Sequence, residues 1–275
     1  MDSDSPTAPG GASADEAQNA PDWLGRDPPR PAVAIADTAT RSKSILHVLL
    51  VLVGALVVPS LLLVLGLAAL GLTESGAPVA YYGAQTALNM LGLGVVGVGY
   101  LYWAGETRMA TVRWPTRRDG AAILVGGVLF VAVMLGFEAL LDLLDVEIAE
   151  NVAVERGREN PELFLLFVPL QFLLVAPAEE VLFRGAIQGL VRRAYGVVPG
   201  VLGAGLIFAL FHAPALAGTT GQLPTLGIIL VTGCLLGAVY EYSGNLAVPI
   251  LIHGVWNAIV FSTQYANAVE MVQIG

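Results

Sequence analysis

Glu179 and Glu180 stand side by side in Ala178-Glu179-Glu180-Val181-Leu182-Phe183-Arg184-Gly185, and the run before them, 163–176, carries no charge. A charged side chain at membrane depth costs at least about 2.5 kcal/mol on insertion scales. Two carboxylates and a guanidinium there need partners, water or a job. On a helix Glu180 and Arg184 are four apart and can pair, which leaves Glu179 without a local partner. The arrangement is either a buried structural ion pair with a spare acid, or a catalytic carboxylate in a membrane-embedded pocket.

Two further pairs share the design. Phe208 and His212 lie four apart in one apolar stretch, and His253 and Asn257 lie four apart in another. Two of the three histidines thus sit deep in apolar segments, each with a partner one turn away. The chemistry that uses these types together is hydrolysis. A carboxylate takes a proton from water, and an imidazole orients that water or a metal that binds it. A second imidazole and an amide can donate to the oxyanion of a tetrahedral intermediate. Zinc is compatible with Glu179, His212 and His253 as ligands from separate helices, although no His-Glu-x-x-His pair supports it.

The elements that must position these residues are membrane-spanning helices. The chain has 275 residues, is 56% hydrophobic and only 13% charged, about half the charge fraction of a soluble domain. Mean hydropathy is +0.73. An all-α, polytopic transmembrane bundle of about seven spans is expected, eight if a membrane-associated segment is counted. The spans fall near 44–72, 79–103, 120–144, 162–191, 197–217, 223–242 and 246–268. The fourth carries the carboxylates and reads as one long helix bent at Pro177. Glycines 92, 94, 97 and 99 in the second suit close helix packing. Counting rise from the arginine-bearing ends puts Glu179, His212 and His253 about 10–22 Å deep, compatible with one cavity open to the cytoplasm. Residues 1–42 form an acidic tail expected to be disordered, followed by a transmembrane domain over 43–275. The loop 145–161 is acidic.

Arg41, Lys43, Arg108, Arg113, Arg117, Arg118, Arg192 and Arg193 fall on one side of the membrane under this count. The positive-inside rule then makes the amino terminus cytoplasmic and the carboxyl terminus external, in a multi-pass plasma-membrane protein. Cys234 is the only cysteine, so an intrachain disulfide and a cysteine metal cluster are excluded. The net charge of −9, with Lys43 the only lysine, argues against nucleic acid as a partner and suits the high-salt cytoplasm of a halophile.

The order Glu-Glu-x-x-x-Arg, Phe-x-x-x-His, His-x-x-x-Asn resembles the CPBP family of intramembrane proteases, which includes type II CAAX prenyl endopeptidases, Abi proteins and self-immunity proteins. The likeness covers about residues 160–262. It implies an endopeptidase in which Glu179, helped by His212, activates water, and in which His253 and Asn257 hold the oxyanion. Glu180 and Arg184, with Phe208 beside His212, would support the site. The family is often called a metalloprotease family, yet this scheme needs no metal. Membrane lipid and a membrane-associated or prenylated peptide or protein are the implied partners. Two other classes compete: a non-catalytic immunity or scaffold protein, and an ion-coupled transporter. Transporters commonly carry paired repeats with interrupted helices, whereas the buried polar residues here lie in the second half of the chain.

Overall fold

An apolar run in lipid can satisfy its own backbone only as a helix or in a closed barrel, and here the runs are helices. The computed structural model describes residues 38–274, within which seven helices are long and apolar enough to cross a membrane. These are α1 (Thr38–Leu70), α2 (Pro78–Trp103), α3 (Arg117–Leu143), α5 (Glu162–Tyr195), α6 (Val197–His212, its span completed by the turn Ala213–Ala215), α7 (Gln222–Ser243) and α8 (Ala247–Ile274). The protein is a polytopic helical membrane protein. Helix α1 takes in residues 38–42, expected to belong to the tail; the rest of that tail lies outside the described residues.

One element was not anticipated. The acidic loop contains α4 (Val152–Glu159), whose Asn151 side chain caps it by accepting from the Ala153 N–H. Eight residues, four of them charged, carry too little periodicity to announce a helix. What holds α4 is packing: a Cβ on Gly157 would sit 2.3 Å from the Phe164 ring.

Helix α5 is the axis of the bundle. Of its most apolar window 44% is buried, against 17–28% for the other spans. It is not one regular helix. Wide π turns occupy Gln171–Val175 and Val181–Gln188, on either side of the regular turn Ala176–Glu180. Pro177 has no N–H to give the Leu173 carbonyl and its ring crowds that oxygen. The widened turn just before it relieves this crowding, so the carboxylates are bracketed by two wide turns rather than set beyond one bend.

Helices α5 and α7 run parallel, locked by bonds between residues 49 or 53 apart. Arg184 donates to the Gly233 carbonyl, Gln188 to the Gly237 carbonyl and to Glu241, and Arg192 to Glu241. A Cβ on Gly237 would lie 2.7 Å from Gln188 Oε1, so glycine is what lets the polar side chain reach the backbone. The α2 glycines behave unequally. Gly92 and Gly97 meet Pro59 and the Val181–Leu182 region closely, Gly94 only touches Ala178, and Gly99 faces open space. His47 bonds the Tyr100 hydroxyl at 2.8 Å and lies beside Trp103.

A buried polar knot holds the start of α8. Arg113 pairs with fully buried Asp119 at 2.6 Å, and Asn245 exchanges bonds with the Arg113 backbone. The Asn245 side chain also accepts from the Ala247 N–H, capping α8 two turns before His253.

Candidate active site

The two adjacent carboxylates have different surroundings. Glu180 is fully buried, with Oε1 3.1 Å from Arg184 Nη1 and 2.9 Å from His253 Nδ1. Arg184, also buried, stacks 4.4 Å from the Phe208 ring centroid. The expected pairing of Glu180 with Arg184 is present, and His253 joins it from α8. Glu179 is 7% exposed. Its Oε2 is buried without a hydrogen-bond partner among the described residues, and faces His253 Nε2 at 3.7 Å.

Phe208 is the hub around which the other members gather. Its ring lies 4.4 Å from the His212 ring and 6.0 Å from the His253 ring, and it meets Phe183 edge-on at 5.1 Å. His212 ends α6 and is half-buried. Its Nδ1 lies 2.8 Å from the Phe208 carbonyl. Since a carbonyl only accepts, Nδ1 carries the proton and the neutral ring keeps a lone pair on Nε2. His212 makes no hydrogen bond to either carboxylate among the described residues.

Asn257 lies one turn beyond His253 on α8, half-buried. It donates from Nδ2 to Gln171 Oε1 at 2.9 Å. Gln171 is a site neighbour that sequence reasoning missed. Its signal was available: a lone glutamine in an uncharged apolar run, two turns ahead of Glu179.

Among the described residues no group of three His, Cys, Asp or Glu side chains is placed to hold a metal ion. Glu179, His212 and His253 therefore do not assemble as the zinc ligands their types allowed. His253 turns one nitrogen to Glu180, and the cationic Arg184 stands beside that carboxylate. The donor set does not fit zinc.

The expected opening toward the arginine-bearing end also does not form. Ile187, Gln188, Leu190, Leu236 and Tyr240 fill that side, each at most 2% exposed. The half-buried members, His212 and Asn257, lie farther from that end than His253. On the flank of α5 a groove of about 550 Å³ runs between α2 and α5, lined among others by Met90, Gly94, Val98, Leu173, Pro177 and Ala178. Its lining is almost wholly apolar, and it reaches the residue next to Glu179.

The family model described as type II CAAX prenyl endopeptidase Rce1-like matches residues 161–259, which contain all three motifs. The uncharacterised protein YpbD of Bacillus subtilis (strain 168) is 30% identical over 165 residues, covering 58% of this chain and 77% of that protein. No solved structure matches the chain.

Proposed function

Because the chain belongs to the Rce1-like family of type II CAAX prenyl endopeptidases, we propose that it is an intramembrane endopeptidase using Glu179 as its base. The observation that carries this is the unspent oxygen of Glu179. Glu180 is held through Oε1 by Arg184 and His253, with its Oε2 buried and unpartnered; Glu179 makes no hydrogen bond among the described residues and turns its buried Oε2 to an imidazole nitrogen. A water bridging Glu179 Oε2 and His253 Nε2 from one side of the pair would donate to each.

In the proposed reaction that water attacks the scissile carbonyl and its proton passes to Glu179. The carbonyl electron pair moves to oxygen, where Asn257 donates an amide N–H; His253, expected beside it, has its Nδ1 donor turned to Glu180 and serves the water instead. His212 orients the water or substrate through Nε2. Glu179 then returns the proton to the leaving nitrogen as the C–N bond breaks. Glu180, Arg184 and Phe208 hold the imidazoles in place. The protease region is 160–262 within the membrane domain 43–275.

The apolar groove beside Ala178 suits the prenyl chain of a membrane-associated peptide or protein, held alongside lipid. The protein is read as a plasma-membrane protein with its amino terminus cytoplasmic and its carboxyl terminus outside. The test is to incubate the purified protein in detergent with a farnesylated CAAX reporter peptide, alongside Glu179→Ala. Release of the terminal tripeptide by the wild type alone supports the reading. Equal release by a folded Glu179→Ala protein overturns the base assignment, and no release by either removes the prenyl-peptide substrate.

A further inference from the structure

We propose that Gln171 is a positioning residue of this site, acting through Asn257. The inference rests on the reading of Asn257 as an oxyanion donor. Gln171 is 3% exposed in an apolar stretch, so both ends of its amide need partners. Its Nε2 donates to the Phe167 carbonyl one turn back, at 3.4 Å. That fixes the orientation of the amide and turns Oε1 toward α8, where it accepts from Asn257 Nδ2 at 2.9 Å.

Donor accounting gives this bond its consequence. An asparagine amide has two N–H groups and one carbonyl oxygen. Gln171 engages one N–H, and Asn257 makes no other hydrogen bond among the described residues. The amide is held with its nitrogen on the α5 side, and the second N–H is left for a ligand. Without the Gln171 acceptor, the amide can turn over and present its oxygen, which repels an oxyanion.

The wide turn explains how Gln171 reaches this place. Gln171 and Glu179 are eight residues apart, and a regular helix at about 100° per residue would rotate them about 80° from one another. The π turn at Gln171–Val175, closed by the Ala176 N–H on the Gln171 carbonyl, absorbs one extra residue. The offset falls to roughly 20°, and both side chains look toward α8.

The experiment compares full-length wild type with Gln171→Met, Gln171→Glu, Asn257→Ala and the Gln171→Met/Asn257→Ala double variant. Cleavage of the farnesylated reporter is measured together with the side-chain amide spectrum of ¹⁵N-asparagine-labelled protein. Gln171→Met is expected to lower kcat roughly 10–100-fold, as removing an orienting partner does, with KM nearly unchanged. Gln171→Glu, which keeps an acceptor oxygen at the same reach, restores most of it. The double variant is no slower than Asn257→Ala alone, because the two act as one unit.

In the spectrum, one Asn257 Nδ2 proton is protected from exchange in the wild type and unprotected in Gln171→Met. Loss of kcat in Asn257→Ala with none in Gln171→Met, or multiplicative losses in the double variant, overturns the proposal alone. Full kcat in Asn257→Ala instead overturns the oxyanion reading. Should the wild type not cleave the reporter, the exchange measurement decides: equal protection in wild type and Gln171→Met sinks the positioning role.

Discussion

Glu179 and Glu180 are identical and adjacent, yet their side chains leave the helix about 100° apart and meet different neighbours. Glu180 is held by a cation and an imidazole, so its loss is first a structural event. Replacing it with Leu strands Arg184 in the interior, and breaking a buried pair from one side costs about 3–5 kcal/mol. A strongly lowered thermal midpoint in detergent is expected for Glu180→Leu. Glu179→Gln, by contrast, removes no hydrogen bond among the described residues; it should keep the wild-type midpoint and lose tripeptide release. A Glu179→Gln variant that still cleaves the reporter at the wild-type rate contradicts the mechanism. For Asn257→Ala, loss of one oxyanion donor predicts a fall in kcat of about 10²–10³-fold, read from steady-state kinetics. At this scale the pairing of Glu180 with Arg184 was legible because a spacing of four is a local property of a helix. The capture of Glu180 by His253, 73 residues away, was not.

Helix α5 departs from regular geometry on both sides of its reactive turn, and π turns of this kind recur at functional positions. Their backbone bonds leave no periodic signature in the residues, so the sequence read as a single long helix. The seam with α7 is likewise set by backbone approach. Gly237→Val places new atoms against Gln188 and forces the two helices apart. A loss of about 1–3 kcal/mol is expected from such overpacking, measured as a lowered unfolding midpoint. Gly99→Ala, facing open space, should leave the midpoint unchanged or raise it, since alanine is the better helix former. Equal effects of the two substitutions would show that the α5–α7 seam does not depend on close contact at Gly237. Helix α4 escaped notice for a different reason. Its stability comes from the Asn151 cap and the Phe164 contact rather than from its own eight residues.

The bundle presents Leu46, Leu49, Leu50, Val53 and Leu56 along the outer face of α1, each more than half exposed. Such a stripe is stable only against lipid or a partner. Orientation is testable on a Cys234→Ala background with exposed single cysteines. Thr219→Cys, in the α6–α7 connection, should react with a membrane-impermeant maleimide on intact cells, and Arg117→Cys only after permeabilisation. The opposite pattern overturns the positive-inside assignment. The sequence by itself determined the helical class, the seven spans, the order of the motifs and the Glu180–Arg184 pair, because run length, composition and spacing are properties of contiguous residues. Tertiary structure alone decided that His253 stands between the two carboxylates, that Asn257 is held by Gln171, and that the arginine-bearing side is filled. These relations depend on how far each helix is rotated and shifted against the others. That is set by glycine contacts, wide turns and the Asn245 knot acting together, and no single stretch of chain encodes it.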